Sequence, residues 1–268
     1  MIMIQSSIRL LTLYCVCSVG AGCASYAVPG SGANLRMAGP GTTSSMATAR
    51  AEQTDPSVGY ALEKRPLASF PATVAIVRIQ GSDYEGRTVT LYNGGGNYRV
   101  VLTHDVEKPE HLLMLSTMPQ VAQLEPINRL ELPERVDSLD DLRSAAAMLH
   151  ADMLLVYTFD DKFDDRDLAS AATLLTIGIA PTKSLTVTAT ASAMLVDTRN
   201  GYVYGAAEAM DKKTTLANCW GEPAAADACR EEVEGQAFEK LVGDLHGMWG
   251  KVVAQYAPTA GPTTRPNG

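Results

Sequence analysis

Met153-Leu154-Leu155-Val156-Tyr157 is apolar without interruption, and acidic residues begin at Asp160. A run this short and with no polar side reads as a strand that must be covered on both faces. It predicts the centre of a sheet with layers on either side. A buried short helix gives the same pattern, but the better helix lies just upstream. There Leu139, Leu142, Ala146 and Leu149 share one face at spacings of three, four and three, with Ser138 as N-cap and Asp141 as the acid of a capping box. Helix into buried strand is the expected central unit.

The surrounding pattern supplies more strands. Ala72 to Ile79 opens the folded part behind Pro71, and Thr88 to Tyr92 with Tyr98 to Thr103 reads as a hairpin across Asn93-Gly94-Gly95-Gly96-Asn97. A short helix is expected over His111 to Met118 and a strand over Val121 to Ile127. Leu185, Val187, Ala189, Ala191, Ala193 and Leu195 alternate with mostly hydroxylic neighbours, the clearest period of two in the chain. Asn200-Gly201 then supplies a tight turn into a partner strand, Tyr202 to Met210. A last helix, Glu231 to Tyr256, carries an apolar stripe from Phe238 to Tyr256 and a second, bare one of Gly243, Gly247 and Gly250. Each helical glycine costs about 1 kcal/mol relative to alanine, which points to a packing reason. The expected fold is an α/β (α+β) sandwich, a mixed sheet with flanking helices, as a single domain over residues 67–257.

The 268 residues are 46% hydrophobic and 19% charged, too apolar for wholesale disorder. Net charge is −8, and Arg9 is the only charged residue before Cys23, so loss of that segment gives −8 − 1 = −9. An acidic chain without a basic block lacks the electrostatic footprint of a nucleic-acid binder, and scattered basic residues do not make a polybasic membrane anchor.

The first 22 residues have a polar start with Arg9, an apolar run from Leu10 to Val19, and small residues Gly20-Ala21-Gly22 before Cys23. This is the tripartite form of a secretory signal and is too short for a membrane-spanning helix. Cys23 after small residues resembles the lipobox of bacterial lipoproteins, in which that thiol is acylated. Gly20 stands where the lipobox usually has Leu. The competing reading is an ordinary signal cut nearby. Several acyl chains, at about 0.8 kcal/mol per buried methylene, would anchor the chain without a spanning segment. By analogy with lipoprotein sorting, Ala24 in place of Asp points to the outer membrane, with the chain facing the periplasm. Residues 23–66 are rich in Gly, Ser, Thr, Ala and Pro and predict a flexible tether, and residues 258–268 a disordered tail.

Little in the chain carries chemistry. The three glycines around Gly95 lack the Lys-Ser/Thr of a phosphate loop, and His104, His111, His150 and His246 have no ligand spacing. No Gly-x-Ser-x-Gly or His-Glu-x-x-His occurs, so no catalytic residues and no cofactor are expected. Asp160, Asp161, Asp164, Asp165 and Asp167 could hold calcium, but the run lacks the Gly and Glu of an EF-hand loop, and Lys162 and Arg166 offset it. A solvated acidic loop is expected there, followed by a short helix or loop over Leu168 to Ile179. Cys219 and Cys229 read as one disulfide closing a short loop in an exported protein, adding about 2 to 3 kcal/mol in the chain-entropy model. Zinc is the competing use, with no His nearby in sequence.

Leu142 to Tyr157, a helix ending in Ala151-Asp152 before a core strand, resembles a segment of the bacterial periplasmic lipoproteins related to the curli secretion channel (CsgG-like). Ala193 to Tyr204, with Asp197 before the turn, looks like their following hairpin. The similarity extends over about Ala72 to Tyr256. It implies a non-enzymatic protein held at the outer membrane by lipid, forming a homo-oligomer or meeting an envelope partner. The channel's barrel-forming hairpins have no match: the insert from Asp160 to Ser184 holds Pro181 and the acidic run, and its apolar part does not alternate. The expectation is an assembly factor or scaffold without a pore. A small-ligand or cation-binding module using the Asp160–Asp167 run is the alternative.

Overall fold

A computed structural model describes residues 32–33, 56–85, 90–92, 95–103, 105–167, 183–217 and 222–258. The chain divides into two compact units. The larger comprises Pro29–Lys162, Val187–Lys213 and Arg230–Gly268, and the smaller Met1–Val28, Phe163–Thr186 and Thr214–Cys229. The described elements are α1 (Pro56–Glu63), β1 (Ala72–Gly81), β2 (Leu91–Tyr92), β3 (Tyr98–Val101), α2 (Pro109–Ser116) and β4 (Val121–Pro126). After them come α3 (Leu139–Met148), β5 (Met153–Asp167), β6 (Lys183–Asp197), β7 (Val203–Ala217) and α4 (Glu222–Tyr256).

The strands form one mixed seven-stranded sheet in the order β2-β3-β1-β5-β6-β7, with β4 beside β1. Strand β5 runs parallel to β1, Val74 opposite Met153 through Val77 opposite Val156. Strand β4 runs parallel to the first half of β1, and β3 antiparallel to its second half. The run Met153–Tyr157 is thus an interior strand, and all five residues are buried.

Period two sorts the two faces of the larger unit. Ala75, Val77 and Ile79 of β1 and Leu154 and Val156 of β5 form a core with Leu139, Leu142, Ala145 and Ala146 of α3. The opposite residues, Val74 and Leu155, join Leu115, Leu195, Leu245 and Trp249 beneath α2 and α4. Helix α3 begins as its sequence dictates. Ser138 Oγ accepts from Asp141 N at 3.4 Å, while an Asp141 carboxylate oxygen accepts from Ser138 N at 2.9 Å. It ends with His150 at φ 55°, where Ala151 N donates to Ala146 O at 3.1 Å and His150 N to Ala147 O at 3.0 Å. Those two bonds satisfy terminal carbonyls and swing the chain directly into β5.

In the smaller unit the described residues are the far ends of β5, β6 and β7 and the first turns of α4, through Cys229. Thr186 and Thr214 hydroxyls lie 3.0 Å apart there, pairing β6 with β7.

Three expectations change. The Asp160–Asp167 run is not a loop but the second half of β5. Its period of two is hidden by charge: Phe159 is buried and Asp161 and Phe163 are half-buried, while Asp160, Lys162, Asp164 and Arg166 are exposed. Helix α4 starts at Glu222 rather than Glu231. The expected tether, residues 23–66, contains α1. It is also docked at Gly32, which bridges to Gln80, and at Ala33, which is buried. The expected helix or loop over Leu168 to Ile179 lies outside the described residues, as does the tail beyond residue 258.

Candidate functional site

The most unusual chemistry of the larger unit lies inside it, under the N-terminal half of α4. Strand β1 puts Arg78 on the α4 face, where its side chain is 1% exposed. Its guanidinium reaches Asp105 at 3.0 Å, Glu107 at 3.5 Å and Glu234 of α4 at 3.5 Å, and lies 4.5 Å over the Phe159 ring. On the same helix Arg230, one turn before Glu234, contacts it at 2.8 Å, both side chains being fully buried. Tyr157 donates to Glu107 at 2.8 Å. Phe238 closes the cluster against Tyr157, Phe159 and His111.

Two guanidiniums face four carboxyls, those of Asp105, Glu107, Glu234 and Asp161, so the cluster is acid-rich. Burial opposes ionisation of Arg78, but Glu234 and Glu107 outweigh it and hold the guanidinium more firmly protonated than in water. Arg230 is held in the same direction, against its own burial, chiefly by Glu234. Asp161 goes the other way. Burial first, and then the negative Glu234, raise its carboxyl well above the usual carboxylate range. Asp161 Oδ1 and Glu234 Oε1 are buried with no donor in reach, and a proton on Asp161 lets the two carboxyls hydrogen-bond. Burial likewise pushes the Tyr84 phenol up to about 12. The charges are spent on one another, and nearly all are closed off from solvent.

Two openings of the larger unit lie apart from this cluster. One, of about 700 Å³, is lined by Asp140, Arg143, Ser144, His150, Thr198 and Arg199, among others. Here the segments before β5 and after β6 meet. Thr198 N donates to Asp152 O at 3.1 Å, Arg199 contacts Asp152 at 3.2 Å, and Arg143 Nε donates to Thr198 O at 3.0 Å. Asp197, fully buried, accepts from Leu67 N at 2.7 Å and from Tyr204 OH at 2.8 Å. Asp152 and Asp197 therefore fasten the entry to β5, the β6–β7 turn and the segment before β1 to one another. The other opening, of about 400 Å³, lies between β7 and α4 and is lined by Ala206, Ala207 and Glu208 with Gly243, Asp244, Gly247, Met248 and Lys251.

Comparison with known proteins adds little to this geometry. No family model matches the chain, and no curated protein matches it. Among solved structures it is similar to the crystal structure of a candidate lipoprotein from Caulobacter crescentus CB15. The identity is 14% over 45% of this chain and 85% of that one, with a TM-score of 0.24. A likeness of that size carries no argument about fold or function.

The residues singled out from sequence fare unequally. Cys23 and Cys219 lie outside the described residues, and Cys229 is buried on α4. The acidic run is split between two sheet faces. Asp160 Oδ1 accepts from Gly32 N at 3.2 Å, Asp161 turns inward to Glu234, and Asp164 pairs with Arg166 at 3.5 Å. Asp165 and Asp167 are placed only by their backbone on β5. Among the described residues no group of three or more His, Cys, Asp or Glu side chains is arranged to hold a metal. No described helix is long and apolar enough to cross a membrane. The Arg78 cluster was missed. One signal was available: Arg78 sits at an inward position of an otherwise apolar strand and needs a buried partner.

Proposed function

We propose that the chain is a lipid-anchored lipoprotein of the cell envelope, acting beside the membrane as a non-catalytic scaffold or assembly factor. The anchor is Cys23, and the finer reading places the domain on the periplasmic side of the outer membrane, related to the curli-channel lipoproteins through the helix–strand segment Leu142–Tyr157 and the hairpin Ala193–Tyr204. What supports it most is where the chain after Cys23 is caught. Gly32 bridges to Gln80, and Ala33 N donates to Thr158 Oγ1 at 2.9 Å. A Cβ on Gly32 would sit 2.9 Å from Phe159 O, so this approach to the sheet needs glycine.

Residues 24 to 32 are nine in number, and nine residues span at most about 30 Å. An acylated Cys23 would thus hold the domain against the bilayer surface, where a partner in the same membrane is met. A scaffold role is further supported by the Arg78 cluster, whose charged groups are spent on one another in the interior. Metabolic labelling with a fatty-acid analogue, comparing the parent with Cys23→Ala, tests the proposal. Label and membrane fractionation are expected in the parent and lost in the variant. An unlabelled parent, or a labelled variant, would overturn it.

A further inference from the structure

Strand β7 ends the sheet, and no described strand pairs with its outer edge. An open edge of this length is a template for another strand. Its outward side chains include Glu208, Met210 and Lys212, all exposed, Met210 by 60%. Beside the edge, α4 presents Gly243, Gly247 and Gly250, around which an added Cβ would meet nothing within 4 Å. Two of those glycines line the groove with Ala206, Ala207 and Glu208. Edge and bare helix face therefore form one continuous surface.

We propose that this surface pairs with a second copy of the same chain, β7 against β7, antiparallel about a two-fold axis through Met210. In that register Glu208 stands directly opposite Lys212 of the second copy and Lys212 opposite its Glu208. Met210 meets Met210, Ala209 meets Asp211 and Ala207 meets Lys213. Opposite charges on directly opposed residues stabilise a ladder, and like charges oppose it. Axes through other residues do worse. Through Glu208, Asp211 or Lys212 each puts a like charge on itself, and through Ala209 it leaves Glu208 opposite Met210.

Edge charges placed only to prevent aggregation have no reason to be self-complementary. The Lys212 ammonium has no carboxylate partner among the described residues of its own chain, whereas Lys213 pairs with Glu232 and Lys240 with Asp211. Glu208 accepts from Ser192 at 3.1 Å and keeps further acceptor capacity. Lys240 Nζ lies 3.3 Å from Met210 O, a carbonyl that retains a second lone pair. The bare stripes of the two α4 helices would border the axis from the same side of the joined sheet. An isologous contact of this kind closes as a dimer and does not propagate.

The dimer deepens the scaffold reading but does not depend on the anchor, since Cys23 is remote in sequence from β7, so either can fail alone. The full chain in detergent is expected to be a dimer by native mass spectrometry at micromolar concentration. Glu208→Lys and Lys212→Glu should each weaken association at least about tenfold, with unchanged circular dichroism, and the double exchange should restore it. Directly opposed residues of an antiparallel pair have Cα atoms about 4.5 to 5.5 Å apart, within disulfide range, so Met210→Cys should cross-link to its own counterpart on oxidation. A monomer at these concentrations, a dimer indifferent to the single reversals, or a double exchange that restores nothing would each overturn the proposal.

Discussion

Replacing Arg78 by Met keeps a side chain of similar length and removes the charge that holds together the buried carboxylates of Glu107 and Glu234 and the partly exposed one of Asp105. Glu107 and Glu234 side chains are 0% exposed and Asp105 is 13% exposed, so the charges left behind have little access to water. Removing one partner of a buried ion pair typically costs about 3 to 5 kcal/mol, because what remains is an uncompensated charge. For a domain of this size about 1 kcal/mol moves the melting midpoint by about 2 to 4 °C, so Arg78→Met should lower it by about 6 to 20 °C. Arg78→Lys should fall between, keeping the charge but losing the planar fork and its stacking on Phe159. Thermal and urea denaturation followed by circular dichroism at neutral pH reads both variants. A deficit below about 1 kcal/mol in Arg78→Met would refute the cluster as a stabilising unit.

Asp161→Asn should flatten the parent's pH dependence. The carboxyl of Asp161 is raised by burial and then by Glu234, so its favourable contribution is complete below the unfolded value of about 3.9 and is lost as pH climbs through the folded one. Urea midpoints across that window should fall less steeply in the variant, and an unchanged slope would refute the assignment. Ser138→Ala removes the hydroxyl that caps α3 and should cost about 1 kcal/mol, read from the urea midpoint with an unchanged slope. A neutral result would mean that Asp141 caps the helix unaided.

The sheet centre and its helix were legible because their causes are local. Ser138 and Asp141 lie three apart and bond each other, and Met153–Tyr157 is apolar because both faces of an interior strand are covered. The β6–β7 hairpin was legible for the same reason. Its period of two is unbroken, and Gly201 takes the φ of 70° that the turn demands.

The acidic half of β5 was illegible because aspartates on both faces of a strand look like aspartates in a loop. Only the phase of Phe159, Asp161 and Phe163 distinguishes them, and it becomes informative once Glu234 is known to face Asp161. The rest of the cluster is hidden by distance along the chain. Arg78 meets Asp105 across 27 residues but Glu234 across 156, and nothing local in either neighbourhood announces the other. An arginine in an apolar strand says that a partner must exist, since an unpaired buried charge is too costly, but it does not say where. The topology answers that. Parallel pairing of β1 with β5 aligns Arg78 with the row that carries Tyr157 and Phe159, and α4 crosses that row with Arg230, Glu234 and Phe238 one turn apart. Burial of this charge set is a consequence of strand order and helix placement, so the same sheet with α4 displaced would leave Arg78 without Glu234 and would not close.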